Sequence, residues 1–129
     1  MLCIDTSSLI AYLEGASGGD VDIIDQAFSD QVGVIAPVTL TEILSEPMLP
    51  KAVRETILKL PVLAFSAGFW ERAGLLRAKI LRHGHKAKLA DSLIAQGCLD
   101  HHATLVTRDR DFRIFKRLAG LRLLGFRTV

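Results

Sequence analysis

Short apolar runs that break off where a helical pattern begins constrain this chain more than any other feature. Residues 2–5, 32–38, 61–65, 103–107 and 121–125 read as strands, helical spacing predicts helices over 6–14, 20–30, 39–45, 50–58, 67–83 and 88–101, and 109–118 reads as a short helix or turn. Strands this short and this apolar suit a parallel sheet buried on both faces, and the alternation requires helices that cross over it. The expectation is an α/β fold: a three-layer α/β/α sandwich around a central, mostly parallel sheet, built as one domain over residues 1–129. Half of the residues are hydrophobic, which excludes disorder. In the longest helix Trp70, Ala73, Leu76 and Ile80 recur at helical spacing, as a core stripe or a dimer contact.

Four acidic residues stand where apolar stretches end: Asp5, Glu42, Asp91 and Asp109. In an alternating α/β chain the carboxyl ends of parallel strands face one crevice, where ligands bind. Carboxylates gathered there repel one another and are costly to desolvate, so such a site calls for a cation. An oxygen-only donor set points to Mg²⁺ or Mn²⁺. Each acid also has a local explanation. Asp5 suits a helix cap, Glu42 completes a capping box with Thr39, Asp91 favours the positive end of its helix, and Asp109 suits an N-cap. Ser or Thr would cap as well without the repulsion, so four acids together exceed what capping needs. Asp111 is a metal-water partner or, slightly favoured, a solvated turn residue.

The net charge of +2 conceals an asymmetry. Residues 1–71 carry three Lys/Arg against ten Asp/Glu, net −7, and residues 72–129 carry thirteen against four, net +9. A basic half beside an acidic cluster suits a polyanion held over a metal, and Arg82, Lys86, Lys88, Arg108 and Arg110 are the candidates for its phosphates. His83 and His85 have a spacing open to a transition metal, but phosphate contact or simple exposure is the preferred expectation, and His101-His102 suits the end of a helix. The two cysteines, Cys3 and Cys98, lack metal-type spacing and read as buried small hydrophobes in a reducing cytoplasm. The start has no signal-peptide pattern and no run approaches a membrane span, so no membrane association is expected.

Ile4-Asp5-Thr6-Ser7, Leu40-Thr41-Glu42-Ile43, the stretch from Leu89 to Ala95 and the stretch from Leu105 to Phe112 together resemble the PIN-domain family. More specifically the chain is similar to VapC-type toxins of bacterial toxin–antitoxin pairs, in motif order and over its whole length. The family's four acidic positions fall on Asp5, Glu42, Asp91 and Asp109, with Thr6 or Ser7 and Thr107 where the family has small hydroxyl residues beside the metal. The resemblance implies Mg²⁺- or Mn²⁺-dependent cleavage of single-stranded RNA, a homodimer, and a small antitoxin partner whose tail covers the site. On that basis Asp5 and Asp91 would be principal ligands, Asp109 a direct or water-bridged one, and Glu42 a water-bridged ligand or an orienter of the nucleophile. Three other functions compete: a PIN-like scaffold that binds RNA or protein without cutting, a phosphorelay receiver domain, and an aspartate-nucleophile phosphotransferase. A receiver needs paired acids after the first strand and a late strand-end Lys, which Thr107 and Leu124 do not supply. The phosphotransferase wants a second acid two residues after the first, where this chain has Ser7.

Overall fold

In the computed structural model residues 1–125 are described. The elements are β1 (Leu2–Ile4), α1 (Thr6–Leu13), α2 (Gly19–Ser29), β2 (Gly33–Val34), α3 (Pro37–Leu44), α4 (Lys51–Leu58), α5 (Phe69–Arg82), α6 (Leu89–His101), β3 (Thr104–Val106), a 3₁₀ turn (Arg110–Phe112), α7 (Arg113–Ala119) and β4 (Leu123–Leu124). Among the described residues the sheet has four strands in the order β2-β1-β3-β4, all parallel. Leu2 faces Gly33 and Thr104, Cys3 faces Val34 and Leu105, and Ile4 faces Val106.

Successive strand side chains point to opposite faces, and the core divides accordingly. Cys3 and Leu105 enter one cluster with Leu76 and Ile80 of α5, Ile94 and Cys98 of α6, and Phe115 of α7. Ile4 and Val106 enter another with Leu9 of α1, Ile24 of α2, Ile43 of α3 and Ile57 of α4. Three helices therefore cover one face and four the other, which is the expected α/β/α sandwich. Both cysteines are buried and free. No helix among the described residues is long and apolar enough to cross a membrane.

Three expectations change. The run 32–38 narrows to Gly33–Val34 because Pro37 opens α3, where its fixed φ and missing N–H suit the first helical position. The run 61–65 forms no strand; it adds one parallel bridge, Val62 to Ile35, at the edge of the sheet. Pro61 has no N–H to donate there, and its carbonyl accepts from Ile35 N–H at 3.0 Å. Trp70 is 58% exposed, while Phe69 takes the buried place beside Ala73, Leu76 and Ile80. Trp70 instead packs with Phe65 and Phe69 as an aromatic cluster.

The chain leaves β1 for β2 on one side and returns to β3 on the other, so the two halves diverge between β1 and β3. This is the switch point at which open α/β sheets bind ligands. Leu105→Ala, which opens a cavity on the face covered by α5, α6 and α7, is expected to cost about 2–5 kcal/mol in urea unfolding.

Candidate metal centre and phosphate cleft

The two strands that flank the switch point each end in a carboxylate. Asp5 follows β1 and its backbone N–H donates to the Val106 carbonyl at 2.9 Å, which pins it to the end of β3. Asp109 follows β3 and caps the 3₁₀ turn, accepting from Asp111 N–H at 2.9 Å. Asp91 stands in the first turn of α6. Asp91, Asp109 and Asp111 each offer an oxygen, and these lie within 4.8 Å of one another.

Asp5 borders that trio and is 4% exposed. It sits at the N-cap position of α1 but makes no side-chain cap bond. Its Oδ2 instead accepts the hydroxyls of Ser7 at 2.7 Å and Thr107 at 2.8 Å. Thr107 Oγ1 in turn accepts from Asp109 N–H at 3.0 Å, so one hydroxyl bridges the two acids. Burial pushes the Asp5 carboxyl up against these hydrogen bonds, and the charge of Asp109 adds to the rise.

Asp91 records the crowding most clearly. Burial, and then the charges of Asp5 and Asp109, push its carboxyl up from the ordinary 3.8 to about 6, although Lys88 opposes the shift. A residue placed there only to complement the helix dipole would be held down instead. The donor set is all carboxylate oxygen, partly dry and mutually repulsive, and it fits a hard divalent cation of the Mg²⁺ or Mn²⁺ kind.

Glu42 stands apart from this group. Because α3 starts at Pro37 with Ala36 as its cap, Thr39 and Glu42 lie inside the helix and form no capping box. Glu42 accepts the Thr6 hydroxyl at 2.8 Å, which ties α3 to the start of α1 beside Asp5. It also lines a groove with Glu14 and Glu46 over an apolar floor that includes Ile10, Leu13 and Leu49.

Beside the acids opens a cleft of about 380 Å³. Asp91 and Asp111 form part of its wall, and Lys86, Lys88, Arg110 and Arg117 supply positive charge around them. Arg117 had no place in the sequence expectation beyond its segment; it reaches the cleft because α7 folds back over α5. Arg117 Nη2 donates to His85 Nε2 at 3.0 Å, so that histidine nitrogen is an acceptor. His83 Nδ1 donates to the Lys79 carbonyl at 2.8 Å, so the two histidines are engaged separately and do not converge on a metal. His101 is also more than a helix-end surface residue, since its Nε2 donates to the Ala64 carbonyl at 2.6 Å. Lys88 Nζ lies 3.9 Å from Asp111 in an exposed pair of little energetic weight. Of the expected phosphate residues, Arg82 and Arg108 do not line the cleft. Arg108 is engaged by Asp20, with its Nε 2.7 Å from Oδ2.

The PIN domain family model matches residues 2–120. The chain belongs to the PIN domain family. This PIN domain has the fold of several solved complexes. A chain of VapBC2 from Rickettsia felis, bound to a DNA fragment from their promoter, matches with a TM-score of 0.73 at 21% identity, over 97% of this chain and 98% of that one. A chain of VapBC-1 from nontypeable Haemophilus influenzae matches with a TM-score of 0.74 at 18% identity, over 96% of each. A chain of a toxin-antitoxin complex from Klebsiella pneumoniae matches with a TM-score of 0.67 at 21% identity, over 97% of each. No curated protein matches this chain in sequence.

The raised Asp91 carboxyl has a consequence for stability. Its proton is held more tightly folded than unfolded, so its contribution is full below pH 3.8 and is lost as pH rises through about 6. Removing the charge in Asp91→Asn is expected to leave melting unchanged near pH 4. At pH 7.5 without metal the variant is expected to melt roughly 3–6 °C higher, the equivalent of about 1 kcal/mol after solvent screening. Mn²⁺ should close that gap by stabilising the wild type alone. An Asp91→Asn variant that melts below wild type at pH 7.5 without metal would show that Asp91 serves the helix.

Proposed function

We propose that this PIN domain is a divalent-metal-dependent endoribonuclease of the VapC toxin type, acting on single-stranded or loop RNA in the cytoplasm. The observation that carries the proposal is a cleft in which Asp91 and Asp111, two members of the crowded carboxylate set, stand beside a cationic rim. Asp5, Asp91 and Asp109 would hold Mg²⁺ or Mn²⁺, with Asp111 as a further oxygen donor or a partner of metal-bound water. A bound divalent cation supplies a water of lowered pKa and neutralises charge on the phosphate and the departing oxygen.

The remaining chemistry falls to the chain's own groups. Ser7 and Thr107 hold the Asp5 carboxylate in one orientation through its Oδ2, which limits the rotamers it must search to meet a cation. Thr6 holds Glu42 where it can orient a water at the edge of the site. Lys86, Lys88 and Arg110 offer charge to the phosphates that flank the bond to be cut. Cleavage by water leaves a 5′-phosphate and a 3′-hydroxyl and makes no use of the ribose 2′-OH. A preference for RNA therefore comes from binding. Ser7 stands where a phosphotransferase would need its second acid, and it donates to the very carboxylate that would be the nucleophile.

A small antitoxin is the expected partner, in keeping with the toxin–antitoxin complexes whose fold this chain shares. The acidic rim and apolar floor around Glu14, Glu42 and Glu46 suit a basic amphipathic segment that could reach the site from there. The exposed side chains of Phe65, Trp70 and Leu75 support a homodimer.

Incubation of the purified protein with a defined single-stranded RNA and Mn²⁺ is expected to give 5′-phosphate ends. Asp5→Asn should reduce that cleavage to background while melting as a folded protein. Cleavage that persists in EDTA, or that Asp5→Asn retains, would refute the proposal.

A further inference from the structure

Arg108 stands between Thr107 and Asp109, yet it takes no part in the cleft. Its Nε donates to Asp20 Oδ2 at 2.7 Å and its Nη2 to Asp20 Oδ1 at 3.1 Å, a two-point pairing that Nη2 extends to the Ser17 carbonyl at 3.3 Å. Asp20 lies in the first turn of α2 and is only 3% exposed. Its Oδ2 also accepts the hydroxyl of fully buried Ser8 at 2.8 Å. Burial pushes the Asp20 carboxyl up, but Arg108 and Ser8 outweigh it and hold the group below the usual carboxylate range, ionised.

The two residues that Asp20 grips are chain neighbours of the two that hold Asp5. Ser8 follows Ser7, and Arg108 follows Thr107; Ser7 and Thr107 both donate to Asp5 Oδ2. Gly125 closes the arrangement from the end of β4. It has φ +106, and a Cβ there would lie 2.5 Å from the Thr107 carbonyl oxygen and 3.0 Å from Asp20 Cβ. Thr107 is held through its hydroxyl by Asp5 Oδ2 and the Asp109 N–H, and through its own N–H by the Leu124 carbonyl at 3.0 Å. Repulsion between Asp5 and Asp109 acts to separate the ends of β1 and β3, and a tie between Ser8 and Arg108 resists it.

We infer that Asp20, with Ser8 and Arg108, is a positioning clamp: it sets the spacing of Asp5 and Asp109 for the cation, though it touches neither cation nor RNA. The inference rests on the metal-nuclease proposal above. A fork that pairs at two points is replaced poorly by a point charge, so the clamp predicts weaker Mn²⁺ binding in Arg108→Lys, whereas loss of a phosphate contact acts on KM for RNA alone. Arg108→Lys therefore separates the clamp from the phosphate role expected of Arg108.

The test titrates Mn²⁺ into wild type, Asp20→Asn and Arg108→Lys by calorimetry and measures RNA cleavage on the same samples. Each variant is expected to bind Mn²⁺ about 10- to 100-fold more weakly and to lose kcat on a similar scale at unchanged KM. The double variant should be no worse than the weaker single one, because the two changes break one tie. Melting without metal shows which variants are folded. If Asp20→Asn does not fold, Arg108→Lys decides, since the Arg108 side chain is 39% exposed. Wild-type Mn²⁺ affinity in a folded variant would overturn the clamp. A raised KM at unchanged kcat and Mn²⁺ affinity in Arg108→Lys would return Arg108 to the phosphates. Wild type that binds Mn²⁺ but cuts no RNA would refute the nuclease proposal and leave the clamp to the affinity data.

Discussion

Asp91, Asp109 and Asp111 present oxygens within 4.8 Å of one another, Asp5 borders them, and their repulsion is the constraint around which the molecule is arranged. Removing that repulsion would be simple in sequence terms, since Ser or Thr could cap the same helices. The fold instead surrounds it with devices that hold it in place. Ser7 and Thr107 satisfy one oxygen of Asp5, the Asp109 N–H binds the same Thr107, and Asp111 N–H satisfies Asp109. The backbone beneath is short: three residues in β1 and three in β3, joined side by side in parallel. Their strength comes from burial on both faces, with Ile4, Leu105 and Val106 sealed from solvent.

The charge asymmetry along the sequence becomes a spatial one only in part. The acids of the site come from both halves, Asp5 from the first and Asp91, Asp109 and Asp111 from the second. The cationic rim comes wholly from the second half, through the approach to α6 and the turn and helix after β3. That rim lets one cleft attract a polyanion while its wall stays negative enough to need a cation. The acidic remainder of the first half gathers in part around Glu14, Glu42 and Glu46, on a groove of opposite character.

Much of this was legible in the sequence, for local reasons. Asp5 follows its apolar strand directly and Asp109 comes three residues after Val106, and the end of a parallel strand is a fixed place in an α/β fold. Asp91 was legible as an acid in the first turn of a helix. Asp111 was harder, because its approach to Asp91 depends on the tight 3₁₀ turn that Asp109 caps. The capping box at Glu42 failed because Pro37 starts the helix two residues before Thr39. Arg108 carried the composition signal of a phosphate contact, yet its partner Asp20 is 88 positions away and no local pattern announces it. The run 61–65 has strand composition but reaches the sheet only through Val62, at an edge where little pairing is on offer. Strand ends were readable; long-range ion pairs were not.

The central claim is that this carboxylate group exists to hold a divalent cation. Crystals soaked in Mn²⁺ and measured at the manganese absorption edge test it without reference to any substrate. Anomalous density among the Asp5, Asp91 and Asp109 carboxylates, lost in Asp91→Asn crystals, is the expected result. Density elsewhere on the surface with none among these acids at saturating Mn²⁺ would contradict it.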